Sequence, residues 1–485
     1  MANPYEPDNR IATAERRVVL AYMGIVAVVL LLMMVFGLLM RLAQGELVGL
    51  SDMWFYRVLT LHGVGMVGIA GLSGAGIMWY FLRQYVDLSL AVAWLNLGLF
   101  LAGVALILAS VLYGGFAGAW TFLFPLPGEP MGMWQRSGAA AFLVGLLLVG
   151  VGFLLLHLDA ARAIFARYGG LGRALGWPQL FGHNDGNAPA AAVVASTMVL
   201  IVNTLGLVSG AAIVIMMLIN LYAPALAIDA LLAKNMIYFF GHVFINATIY
   251  MSIIAVYHLL PRYTGRSWKS STKAFLAAWT ASTVMVVIVY PHHLLMDFVQ
   301  PQWLHITGQV ISYASGLPVL AVTAYGVVTI LYRSGIRWDM ASGLLALSGF
   351  GWAAGTIPAI VDATIVVNEN MHNTLWVPGH FHFYLLLGVV AMGLGFMLWL
   401  ARTYGRAGES WVDRVAFWIY ALAGLGFVAA FLYGGRVGTP RRYAEHLPEW
   451  VPYDRIGSLF AVLVILTTAV FVIRFLASLR TASAP

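Results

Sequence analysis

The chain has 485 residues, of which 61% are hydrophobic and only 9% charged, and it contains no cysteine. A soluble domain is roughly half apolar and about a quarter charged, so this balance points to an integral membrane protein. The missing cysteines exclude disulfides, thiolate metal sites, cysteine nucleophiles and thioether attachment of a c-type haem to this chain.

The formal net charge of +7 does not indicate nucleic acid, because Lys and Arg are spread thinly between apolar runs. Residues 1–17 are polar and lack the order of features of a signal peptide, so they are expected to form a cytoplasmic tail. Runs long enough to cross about 30 Å of hydrocarbon follow near 18–40, 54–82, 88–114, 137–158, 191–221 and 236–260. The second half repeats the habit near 274–291, 306–332, 342–367, 376–401, 413–434 and 456–479. The expected fold is all-α and integral to the membrane, with about twelve transmembrane helices forming one domain over 18–480 and a tail at 481–485.

Loops after even-numbered spans carry Arg83, then Arg162, Arg167 and Arg173, then Arg262, Arg266, Lys269 and Lys273, then Arg333 and Arg337, then Arg402 and Arg406. By the positive-inside rule these loops and both termini face the cytoplasm. The last outer loop breaks the trend with Arg436, Arg441, Arg442 and Arg455. Arg441-Arg442 suit capture of an acidic group, with an ordinary solvated loop as the alternative.

Ionisable residues are costly in hydrocarbon and mark functional sites. In chain order, His62 stands in the second span beside Gly63, Gly65 and Gly68, which are expected to let a flat group such as a porphyrin approach the backbone. His242 lies in the sixth span, and His292-His293 follow Pro291 at the end of the seventh. Three imidazoles suit copper, zinc or non-haem iron. Adjacent histidines on a regular helix diverge by about 100°, so a shared ion needs the irregular backbone that Pro291 permits. The tenth span opens with Trp376-Val377-Pro378-Gly379-His380-Phe381-His382, whose two imidazoles point about 200° apart on a helix. One helix can therefore serve two cofactors. Together, His62 and one of the pair can sandwich one haem, the other can hold a second haem from one side, and the three-imidazole metal can face it. His157, His258 and His305 also fall in or at the ends of spans.

These residues, with His372-Asn373-Thr374 and Thr439-Pro440-Arg441-Arg442-Tyr443, give a chain that resembles the catalytic subunit I of the haem-copper oxidoreductase superfamily over nearly its whole length. The wording of the tenth-span motif and of His372-Asn373-Thr374 resembles the B-type branch. The resemblance implies that His62 and His382 ligate a low-spin haem, His380 a high-spin haem, and His242, His292 and His293 the facing metal. It also implies that Arg441 and Arg442, helped by His372, hold haem propionates. The location implied is a bacterial or archaeal plasma membrane.

One departure bears on the substrate. Oxygen-reducing members of the A and B branches carry a tyrosine four residues after the first metal histidine, and here that position is Asn246. Tyr250, the nearest tyrosine after it, stands two turns from His242, about 12 Å along the axis. Nitric oxide reduction needs only two electrons, which the two metals hold without a tyrosine. The expectation is a nitric oxide reductase, with Asn246 bonding an NO-derived intermediate. The alternative is a terminal oxidase of the cytochrome c or quinol oxidase type, with Tyr290 as its candidate tyrosine. No glutamate accompanies the metal histidines, so copper is expected, with non-haem iron as the alternative. A transporter with histidines lining a pore fits the hydropathy but not the spacing of six ligands.

Tyr250, Tyr257, Ser312, Tyr313 and Ser315 offer a hydroxyl path for protons or simple hydrogen bonds between spans. Asp362 and Asp297 can handle protons or steady an imidazole. With no c-haem site and no binuclear copper site in the chain, electrons are expected from a partner subunit on the outer face, of the cytochrome c or cupredoxin type, or from quinol. Lipid and a small gas complete the expected partners, and nucleic acid is excluded.

Overall fold

A computed structural model describes residues 3–6, 11–183, 186–405 and 408–482, so Arg406 and part of each expected tail lie outside the described residues. Among the described residues, twelve helices are long and apolar enough to cross a membrane: α1 Thr13–Gln44, α2 Asp52–Leu82, α3 Leu90–Leu112, α4 Arg136–Tyr168, α5 Ala191–Tyr222, α6 Ala230–Thr264, α7 Lys273–Leu294, α8 Gln302–Leu331, α9 Met340–Asp362, α10 Trp376–Tyr404, α11 Trp411–Arg436 and α12 Val451–Leu479.

Each starts and stops where local chemistry dictates. Ser89, Asp229, Thr272 and Asp339 cap α3, α6, α7 and α9 by accepting from the amide three residues on. Gly169 and Gly265 end α4 and α6 with φ of 74° and 68°, which only a residue without Cβ adopts cheaply. The ninth span is shorter than expected. It ends at Asp362, and Thr364 opens a separate helix, Ile365–Met371. The apolar count ran across this break because Thr364 to Val367 stay hydrophobic enough to disguise it.

Small residues set the helix contacts, as expected where water gives no drive for association. Gly103 on α3 and Gly145 on α4 face each other so closely that a Cβ on either would meet the other's carbonyl at 2.6 and 2.8 Å. The two most enclosed spans are α6 and α10, 83% and 89% buried, against 22% for α8. They are the central posts, and they carry His242 and the His380, His382 pair. A π-helical turn, Leu385–Val390, interrupts α10 just after His382.

Candidate haem and metal centre

His62 and His382 face each other across a gap, with ring centroids 6.4 Å apart and planes within 12°. Each has one nitrogen anchored: His62 Nδ1 donates to the Met33 carbonyl at 2.7 Å and His382 Nδ1 to the Pro378 carbonyl at 2.6 Å. Those bonds fix the tautomers and leave both Nε2 lone pairs for a ligand. At metal–imidazole lengths of about 2 Å, one iron fits between the rings. The glycines beside His62 serve as expected only in part, since Gly63 lines the cavity and Gly65 and Gly68 do not. A Cβ on Gly63 would meet Trp120 at 2.8 Å, and Gly65 packs under Met33. Side chains of the protein pack against both, so these glycines also let a helix and a loop approach. The glycine that makes room for the His62 ring is Gly37 on α1, whose Cβ would lie 2.6 Å from its Cε1.

His380 points the other way from the same helix, as the 200° spacing requires. Asp362 Oδ2 lies 3.2 Å from His380 Nδ1, near enough for an ion pair, although the ring nitrogen makes no well-formed hydrogen bond. Asp362 is itself fixed by the Asn368 amide at 3.0 Å.

The three remaining imidazoles converge. Pro291 sits in a 3₁₀ turn, Tyr290–Leu294, and this irregular backbone brings both His292 and His293 toward α6. His242 Nδ1 lies 3.1 Å from His293 Nε2 and 3.2 Å from His292 Nε2, and the last two are 3.1 Å apart. Three neutral nitrogen donors in one small triangle fit a single borderline ion such as copper. Ser312 Oγ holds His292 Nδ1 at 2.8 Å, which keeps the other nitrogen of that ring free. The Asn246 amide nitrogen lies 3.1 Å from His242 Nε2 and donates to the His242 carbonyl at 2.9 Å.

All these groups line one cavity of about 510 Å³, which also receives Arg441, Arg442, His372, Tyr250 and Ser315. Two motifs read separately in the sequence meet at one wall of it. Arg441 N donates to the Asn373 carbonyl at 2.8 Å and Leu375 N to the Thr439 carbonyl at 2.9 Å. Arg441 Nη2 also reaches Asn373 Oδ1 at 3.1 Å, and Arg442 Nη2 reaches Thr121 Oγ1 at 2.8 Å. The Arg441 Nε is buried without a partner, an orphaned donor of the kind a carboxylate would accept from. Burial and the Arg442 charge push the Arg441 guanidinium down to about 10. Burial and Arg441 also hold the His372 imidazole below its usual value.

The expected hydroxyl path separates into pieces. Tyr257 OH bonds Thr323 Oγ1 at 2.6 Å, and Tyr250, which lines the cavity, packs on Trp279 and Trp352. Tyr313 OH instead bonds Thr364 Oγ1 at 2.7 Å, Ser312 serves His292, and Ser315 Oγ donates to the Ser312 carbonyl at 3.4 Å. Tyr290 OH turns to Asn235 at 3.1 Å, away from the three imidazoles. Asp297 is tied to Lys234 at 2.7 Å. His157 bonds Asn203 and His305 the Asp297 carbonyl, while His258 stacks on Phe81, so these three histidines stand apart from the site.

Sequence reasoning missed four contributors. Trp120 descends from the loop after α3 into the cavity between Gly63 and Gly241. Tyr238, one turn before His242, stacks on His293 at 5.9 Å. Arg41 and Gln44 close the pocket from α1. The one available signal was an arginine, Arg41, directly at the end of the first apolar run.

A family model described as cytochrome c and quinol oxidase polypeptide I matches residues 17–468. The chain is 25% identical over 472 residues to cytochrome c oxidase polypeptide 1 of Halobacterium salinarum, covering 91% of this chain and 74% of that one. It is 24% identical to cytochrome c oxidase subunit 1 of Thermus thermophilus, covering 84% and 73%. A solved structure of a haem-copper terminal oxidase dimer superposes with a TM-score of 0.75 at 19% identity, covering 98% of this chain and 85% of that one.

Proposed function

The chain belongs to the family of cytochrome c and quinol oxidase polypeptide I, and on that premise we propose that it is the catalytic subunit of a respiratory terminal oxidase that reduces oxygen to water. The observation that carries a gas-reducing centre is the triangle of His242, His292 and His293 beside His380, with the His62 and His382 pair on the other side of α10. The relatives' names favour oxygen over the nitric oxide expected from the sequence.

When bound, two haems and a copper ion supply the electron transfers and the place where the gas is reduced. His62 and His382 hold the low-spin haem, His380 the high-spin haem, and the three clustered imidazoles the copper. Ser312 keeps the His292 lone pair directed at the metal. Arg441 and Arg442 receive propionates on the outer side, and His372 borders the same wall. Tyr257 with Thr323, then Tyr250, mark an inner route for protons. Electrons arrive from a partner on the outer face, from a cytochrome c or cupredoxin-type subunit, with both termini in the cytoplasm.

A second reading, reduction of two NO to nitrous oxide and water, is favoured by one observation. Asn246 occupies the position next to His242 Nε2, and among the described residues no phenol hydrogen-bonds to His242, His292 or His293. The test is turnover of the purified membrane assembly with O2 and with NO, with copper and iron quantified. Asn246→Tyr probes the same position: oxygen turnover that rises only when the tyrosine is supplied supports the second reading, and oxygen turnover already fast with Asn246 supports the first.

A further inference from the structure

At the outer end of the His62 and His382 pocket, buried polar side chains from three segments close on one another, and none is positioned as a ligand. Arg41, in the last turn of α1, donates from Nη1 to Gln44 Oε1 at 2.8 Å and from Nη2 to Asp454 Oδ1. Asp454 lies in the first turn of α12, and its second oxygen accepts from His446 Nδ1 at 2.6 Å. The side chains of Asp454 and His446 are both fully buried, at 0% exposure. Gln44 Nε2 donates to the Tyr443 carbonyl at 2.8 Å and lies 3.3 Å from His446 Nε2.

The cluster reaches toward the cofactor side. Arg41 lines the cavity and its buried Nε has no partner. Its guanidinium lies 4.7 Å over the Phe431 ring, and Phe431 stacks on the His382 imidazole at 5.2 Å and 23°. Burying an ion pair costs desolvation that apolar side chains of similar volume would avoid. A retained buried charge inside a membrane protein therefore points to an electrostatic task.

We propose that Asp454 and His446 are positioning residues that hold the Arg41 charge against the group carried by His62 and His382, and so set how readily that group accepts an electron. This rests on the reading of that pair as low-spin haem ligands. A cation in a low-dielectric pocket stabilises the reduced haem, and the carboxylate offsets part of that effect. His446, donating to Asp454, draws the carboxylate's charge away from Arg41.

The test is spectroelectrochemical titration of the low-spin haem band in the purified assembly. Arg41→Met is expected to lower the midpoint potential and Asp454→Asn to raise it. Each change is at least tenfold in the oxidised-to-reduced ratio at fixed potential, which is 59 mV for one electron. Opposite shifts support the proposal, since general loosening of the pocket would move both variants the same way. Unchanged potentials, or shifts of one sign, overturn it. If Arg41→Met loses haem, Asp454→Asn decides alone: a rise supports and anything else overturns. A wild-type assembly lacking a bis-imidazole low-spin spectrum overturns the haem reading itself, and the proposal with it.

Discussion

Gly37→Ala is expected to damage the low-spin site selectively, although residue 37 is not a ligand. The added methyl would lie 2.6 Å from His62 Cε1 and 3.0 Å from its Nδ1. Carbon atoms settle at about 3.5–4.0 Å, so the ring must move by about 1 Å. It cannot pivot freely, because Nδ1 is held by the Met33 carbonyl at 2.7 Å, one turn earlier on α1 itself. The free direction is toward His382, which closes the 6.4 Å gap. Overpacking of this kind costs about 1–3 kcal/mol, and at 1.4 kcal/mol per tenfold that weakens the hold on haem by roughly 5- to 150-fold. The assay is haem per protein together with the low-spin spectrum of the oxidised assembly. Gly49→Ala is the control, since no atom lies within 4 Å of a Cβ there. Full haem content and an unshifted bis-imidazole spectrum in Gly37→Ala would refute the reasoning.

Ser312→Ala removes the bond to His292 Nδ1 and is expected to weaken metal retention by about 10- to 100-fold, read as copper remaining after challenge with a chelator. Tyr257→Phe breaks the contact with Thr323 and is expected to slow turnover by about a hundredfold if that hydroxyl relays protons; equal turnover with unchanged haem spectra would remove it from the route. His372 has its pKa held below the usual imidazole value by burial and Arg441. The unfolded chain therefore binds the extra proton first, so stability rises with pH from the folded value up to about 6.5 and is lost on acidification. His372→Gln is expected to flatten the dependence of melting temperature on pH in that window, and an unaltered slope would contradict the linkage.

The membrane fold was legible because hydropathy needs only a run of apolar residues, and all twelve runs became helices. The six histidines were legible because charge-bearing groups in hydrocarbon stand out. Periodicity also separated His380 from His382 onto opposite faces of α10. What stayed hidden depends on contacts far apart in sequence. Trp120 enters from a loop, and Asp454 meets Arg41 across more than four hundred residues. The glycines near His62 misled in part: Gly63 borders the cavity, but Gly65 admits Met33, as a missing Cβ in packed membrane helices often admits a neighbouring side chain. The pairing of His372-Asn373-Thr374 with Thr439-Pro440-Arg441 was invisible too, because a short bridge between two loops leaves no periodic trace.

The most direct test of the proposed oxygen-reducing centre is gas consumption by the purified assembly, with O2 and NO supplied separately under one electron donor and His292→Ala measured alongside. Oxygen reduced to water faster than NO is consumed, and abolished by His292→Ala, is the predicted result. Nitrous oxide formation with negligible oxygen uptake would contradict it and give the site to the chemistry that Asn246 favours.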